Sequence, residues 1–271
     1  MIAGALKPHA RRLRRACGLS VLLAALVTAG CAGGRFVRPS GAAVPFPEGV
    51  ALWEQLSQPC RDVSGAQTQL RVSGQLGPDR FPGLTTGLAV DAVRLAIEAR
   101  HSSRRIFSLA GDTAEAVLLD HMQGRVVHGS AADIVEALVG VRLTPERLLA
   151  VLSGCVSPRP LATAADRIGS LVRLTTADST IYVTQQDGQW RLRAAEFGDI
   201  VADYRRVDAG WPREIELRSG PDVRLNVQVI EFVRSPQLPP GLFRLAVPDT
   251  FTATSVETLR TDGPLAQRVP R

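Results

Sequence analysis

Two periods alternate along the chain, one of two residues and one of about 3.6, and their order predicts the fold. The run 69–76 (Gln-Leu-Arg-Val-Ser-Gly-Gln-Leu) alternates apolar with polar side chains until Gly77-Pro78-Asp79 breaks it, as a strand with one buried face does. Leu88 and Val90 are apolar on even numbers and Val93, Leu95 and Ile97 on odd ones. That phase switch across Asp91-Ala92 predicts a bulge in one curved strand. Strands at 105–109 and 116–120, with Gly111-Asp112 as the turn between them, and a partner at 124–128 extend the sheet. Ahead of them, Val50, Leu52, Trp53 and Leu56 fall on one side of a short helix over 50–57.

The period then lengthens. Ser130 and Asp133 have the spacing of a capping box before Ile134, Val135, Leu138 and Val139, and Gly140 stops the turn. Thr144 as cap and Pro145 at the first helical position open a second helix, which carries Leu148, Leu149 and Leu152 and ends at Gly154. Beyond Ser157-Pro158-Arg159-Pro160 the chain returns to strands. Asp187-Gly188 joins 180–184 to 189–192 as a hairpin, and 200–204, 213–217 and 223–229 follow. In the last of these Val223, Leu225, Val227 and Val229 face one side, and Arg224, Asn226 and Gln228 face water.

One-sided strands interrupted by two short helices predict a mainly β (α+β) fold, a half-open antiparallel β-barrel with short helices forming a lid over or inside its mouth. The expected lining of an apolar cavity is Leu70, Val72, Leu88, Val90, Leu225 and Val227 from the sheet with Ile134, Leu138, Leu148 and Leu152 from the helices. Such a space suits an acyl chain, whose burial gains ~0.8 kcal/mol per methylene.

The N-terminus changes what composition means. Arg11-Arg12-Leu13-Arg14-Arg15, an apolar run over 18–30 too short to span a bilayer, and small residues before Cys31 are the parts of an export signal. Thr28-Ala29-Gly30-Cys31 resembles a lipobox, in which the cysteine is acylated, by palmitate among other chains, and becomes the first mature residue. The alternatives are an ordinary signal peptide or an uncleaved anchor. Removing residues 1–30 takes five basic residues and no acid, so the formal charge falls from +6 to +1. With no basic stripe remaining, no nucleic-acid partner is expected, and Arg104-Arg105 and Arg205-Arg206 read as solvated strand faces.

Cys60 and Cys155 then remain, each just after a predicted helix, and either form a disulfide or stay as two buried free thiols. No cofactor is expected, and no metal, since His101, His121 and His128 lack ligand spacing. The expected organisation is a signal over 1–30, the lipidated Cys31 and a Gly/Pro/Ala-rich flexible tether over 31–47, a folded domain over 48–251 and a polar tail over 252–271. A free tether of that composition reaches roughly 20–25 Å.

The stretch 131–154, helix, Gly140, the apolar step Val141-Arg142-Leu143, Pro145, and a second helix ending in Gly154, resembles the LolA/LolB lipoprotein-localisation fold and more closely its LolB side. Tyr204, Trp211-Pro212, the strand over 214–217 and the ending Phe243-Arg244-Leu245-Ala246-Val247-Pro248 are similar to that group too. The resemblance covers about 53–251. It implies an eleven-strand half barrel lidded by helices, a cavity for lipoprotein acyl chains, and a periplasmic carrier protein as partner. Ala32 after the lipidated cysteine lacks the Asp that marks inner-membrane retention in enteric bacteria, so a lipid anchor at the periplasmic face of the outer membrane is expected. One departure is local: where LolB exposes an inserting Leu, this chain has Ala110-Gly111-Asp112-Thr113-Ala114, with Leu109 as the neighbouring candidate.

Enzymatic motifs are missing: no GxSxG, P-loop, GxGxxG or HExxH occurs. Ser130 near His128 and Asp133 is explained by helix capping, His121 beside Asp120 reads as a surface residue, and Glu231 sits either next to Arg234 or at a bulge. The competing class is a structural or assembly lipoprotein whose barrel is filled and which holds a partner protein.

Overall fold

The computed structural model describes residues 34–155, 162–208 and 210–265. In chain order its strands are β1 (Val44–Pro45), β2 (Gly65–Leu76), β3 (Asp79–Asp91), β4 (Arg94–His101), β5 (Arg104–Asp112), β6 (Ala116–Asp120), β7 (Arg125–Gly129), β8 (Ala164–Ile168), β9 (Leu171–Thr175), β10 (Thr180–Gln186), β11 (Gln189–Phe197), β12 (Ile200–Asp208), β13 (Trp211–Ser219), β14 (Val223–Arg234) and β15 (Thr252–Thr254). They form one open sheet in the order β1-β8-β9-β10-β11-β12-β13-β14-β2-β3-β4-β5-β6-β7-β15. All neighbours are antiparallel except β15 on β7. The meander is therefore a curved, unclosed barrel, in which β14 against β2 joins the two halves of the chain.

Four α-helices are described: α1 (Gly49–Ser57), α2 (Ala131–Val139), α3 (Pro145–Ser153) and α4 (Val256–Asp262). The two lid helices start and stop where their caps dictate. The Ser130 hydroxyl accepts from the Asp133 amide at 3.1 Å and Thr144 Oγ1 from the Arg147 amide at 3.2 Å. Gly140 and Gly154 end them in the left-handed conformation. At Gly154 a Cβ would also lie 2.8 Å from Pro212 Cγ, so only glycine lets the end of α3 press on β13.

Several expectations change. The switch of apolar phase near residue 91 is a hairpin between β3 and β4, with Leu88 opposite Ile97 and Val90 opposite Leu95. Asp91 makes it: its Oδ1 accepts from the amides of Val93 and Arg94, and Oδ2 pairs with the Arg94 guanidinium at 2.6 Å. Gly111 and Asp112 belong to β5, and the turn lies after them. Val50 is 67% exposed, whereas Leu52 and Trp53 carry α1 into the core.

The flexible tether over 31–47 is the largest correction within the described residues. From Arg35 on, the segment is docked on the outside of the sheet. Phe36 is 3% exposed and packs on Tyr182 at 4.8 Å between ring centroids, with Ala194 beside them. Val44 and Pro45 pair with β8, and Phe46 meets the edge of Trp190. The tail over 252–271 is structured too as far as Leu265: β15 adds a parallel edge to β7, and Leu259 and Leu265 join the core. Leu109 is fully buried and supplies no exposed apolar tip.

Candidate functional site

The concave face of the sheet and the inner sides of α2 and α3 do not meet everywhere. They leave between them a partly open apolar cavity of about 100 Å³. Leu70 and Val72 of β2 stand beside Thr86 and Leu84 of β3, their direct cross-strand partners, and Val227 of β14 stands opposite Val72. Over this floor, Val135, Leu138 and Val139 of α2 and Leu148, Val151 and Leu152 of α3 form the roof. Each helix contributes positions i, i+3 and i+4, one stripe of its surface. Thr86 is the one polar side chain on the wall among the described residues.

Of the expected lining, Leu70, Val72, Leu88, Leu138, Leu148, Leu152, Leu225 and Val227 lie on the wall. Val90 and Ile134 are fully buried in the packed core away from it. Ile134 stands one position from Val135, about 100° round the helix, and faces Gly129 of β7. Phe81 lines the cavity without an alternating signal. A register shift between Val72 and Gly74 in the β2–β3 ladder brings Phe81 and Leu84 to one face although they stand an odd number of positions apart. Ile97, Phe107, Leu143, Leu217 and Leu265 complete the wall from segments whose apolar residues carry no mark of a cavity in sequence.

The size matters. About 100 Å³ is comparable with apolar holes that stay dry, and lies below the ~300–1,000 Å³ of small-molecule pockets. In this conformation the space takes the tip of an alkyl chain; a whole chain requires the roof or the mouth to move.

The Cys60–Cys155 disulfide, with Cα atoms 5.3 Å apart, ties the turn after α1 to the end of α3 and so pins one end of the roof. The other end of α2 is fixed electrostatically. The Ser130 hydroxyl and then the Arg142 guanidinium hold the Asp133 carboxyl below the usual carboxylate range.

On the outside, two acids are buried beneath the N-terminal segment. Asp203 (0% exposed) accepts from the Phe36 amide at 2.8 Å and pairs with Arg193, while Arg205 lies 3.8 Å away. Glu216 (2% exposed) meets Arg205 at 2.5 Å, and Arg35 and Arg218 at 3.4 and 3.5 Å, the last two as charge contacts rather than aligned hydrogen bonds. Arg205 thus stays on a solvated strand face, as expected, while its guanidinium reaches these two buried acids.

Ser130, Asp133 and Asp120 have structural roles. Ser130 and Asp133 cap α2, and His128 is exposed. His121 is half-buried against Phe251, with Nε2 3.0 Å from Ser108 Oγ, and burial followed by the charge of Arg105 pushes its pKa down. The Asp120 carboxylate beside it accepts from the Met122 and Gln123 amides and so serves the turn. Glu231 is exposed where the β14–β2 register shifts. Among the described residues no group of three or more His, Cys, Asp or Glu side chains is placed to hold a metal ion, and no helix is long and apolar enough to cross a membrane.

No family model matches the chain, and no curated protein matches it. Solved structures do. A LolA superfamily protein from Nitrosomonas europaea is 12% identical, aligned over 75% of this chain and 99% of its own, with a TM-score of 0.49. A DUF1329 family protein from Desulfovibrio piger is 9% identical over 74% and 97%, with a TM-score of 0.47. An outer-membrane lipoprotein-sorting protein domain from Vibrio parahaemolyticus, so described provisionally, is 8% identical over 73% and 95%, with a TM-score of 0.45. At these identities and TM-scores the likeness assigns no function, so the site's own residues decide what it can do.

Proposed function

We propose that this chain is a membrane-anchored periplasmic lipoprotein that binds an acyl chain, free or attached to another lipoprotein, between the concave sheet and helices α2 and α3, in lipid or lipoprotein transfer to the outer membrane. The observation that carries the reading is the unfilled space itself, walled almost wholly by aliphatic and aromatic side chains. A scaffold protein has no use for such a gap, because each lost contact weakens the core. Every methylene that enters gains ~0.8 kcal/mol, and Thr86 is the one polar side chain that the wall offers to an alternative ligand.

The chain from Arg35 onward is one compact unit, so a protein stripped of residues 1–31 is suitable for the test. It is expected to bind NBD-labelled palmitate. Leu148→Trp, which fills the void from α3, is expected to weaken binding at least about tenfold while costing no more than about 3 kcal/mol of stability. Absence of binding by the unaltered protein, together with absence of co-purified lipid by mass spectrometry, returns the molecule to the second reading, a structural scaffold for a partner protein. The small volume is the observation that favours that reading.

Cys31 lies outside the described residues, and its acylation rests on the sequence over 11–31. Full-length protein is expected to fractionate with membranes, and Cys31→Ser to release it. A variant that stayed with membranes at high salt would overturn the anchor.

A further inference from the structure

We propose that the C-terminal segment 256–265 is a displaceable plug in the port through which a single-chain amphiphile reaches the cavity. This rests on the acyl-binding reading and adds the route and the class of head group. A second space of about 160 Å³ lies at the β2–β3 hairpin end of the barrel, and Phe81, Leu138 and Leu265 line both it and the inner cavity. Those three side chains are the partition. The outer space differs in chemistry, since Asp79, Arg260 and Thr261 share its wall with Leu76 and Leu259. An apolar chamber behind a partly charged one matches an amphiphile with a compact polar head: the tail passes between Phe81 and Leu138 into the place of Leu265, and the head stays beside Arg260 and Asp79.

Leu265 is the part able to leave. Phe81 lies in a paired strand and Leu138 in the capped helix α2, whereas Leu265 follows a seven-residue helix at the edge of the sheet. That helix is anchored by the buried Leu259, and its polar latches are partly exposed groups. Arg125 pairs with Asp262 at 2.8 Å, the Gln123 side-chain amide donates to the Asp262 carbonyl at 3.3 Å, and Arg260 lies 3.7 Å from Glu136. Exposed pairs of this kind hold weakly and are screened by salt. Gly263 sets the aim of Leu265: a Cβ there would lie 2.4 Å from the Leu259 carbonyl oxygen, so a side chain opens the turn.

The test follows the binding rate of NBD-labelled palmitate by stopped-flow fluorescence on the protein stripped of residues 1–31. Gly263→Ala and Leu265→Ala are expected to speed association at least about fivefold, because the open state ceases to be the minor one. Arg125→Ala, which leaves the core untouched, should shift the rate in the same direction, and palmitate should hasten amide exchange over 256–265. Binding by the unaltered protein at a rate that none of the three substitutions changes would overturn the plug and leave the acyl site standing. If none of the proteins binds, the acyl site is lost and the plug with it.

Discussion

Reducing the Cys60–Cys155 bridge, or replacing Cys155 with Ser, is expected to lower the unfolding free energy by about 4–5 kcal/mol. The figure comes from the entropy of the unfolded chain, since the bond closes a loop across a sequence separation of 95 residues. The bridge binds the turn after α1, whose Leu52 and Trp53 are core residues, to the last residues of α3, whose Leu148, Val151 and Leu152 roof the cavity. Its loss acts locally as well as globally. The Ser153 hydroxyl still donates to the Leu149 carbonyl at 2.7 Å and Gly154 still abuts Pro212, so α3 persists in the reduced protein with its end less constrained. Acyl exchange should accelerate on reduction, and the urea midpoint should fall. Equal midpoints for the oxidised and reduced forms would show that the bond contributes nothing to the fold.

What the sequence made legible is what is local. Alternation along β2 and along β14, the caps Ser130 and Thr144 and the stops Gly140 and Gly154 depend on neighbours within a turn or two, and these elements stand where their residues predict. The half-open antiparallel architecture follows from them. The β3–β4 hairpin was hidden because a tight turn and a bulge both invert apolar parity, and only the side chain of Asp91, turned onto two amides, distinguishes them.

Two further failures have a common cause. Phe36 and Phe46 are two aromatics ten positions apart in a Gly- and Pro-rich run, and Leu259 and Leu265 are isolated leucines in a mostly polar tail. Neither pattern has a period, because each apolar side chain finds its site on strands far away in the chain. Half of the cavity's identity was hidden in the same way. The helix stripe gave Leu138, Leu148 and Leu152, while Phe81 depends on a register shift and Leu265 on the path of the tail.

Asp203→Ala is expected to cost about 3–5 kcal/mol, the loss typical when one partner of a buried ionic network is removed. Asp203 alternates correctly as an outward residue of β12, so its charge looks solvated in sequence. The docked segment covers it. Replacing it removes the acceptor of the Phe36 amide and the carboxylate facing Arg193 and Arg205. Phe36 then loses its main polar tether, although the Arg218 guanidinium still donates to its carbonyl at 3.0 Å. Two measurements should move together: the melting temperature should drop, and limited proteolysis within 35–47 should become fast. Asp203→Asn keeps an acceptor for the Phe36 amide and loses the charge, so it should fall between wild type and Asp203→Ala. On the anchor reading, the docked segment shortens the chain between Cys31 and the folded body from residues 32–47 to residues 32–34. Its release would therefore lengthen the leash without touching the cavity. A melting temperature unchanged in Asp203→Ala, with 35–47 still protected from protease, would mean that the apolar contact of Phe36 with Tyr182 holds the segment alone.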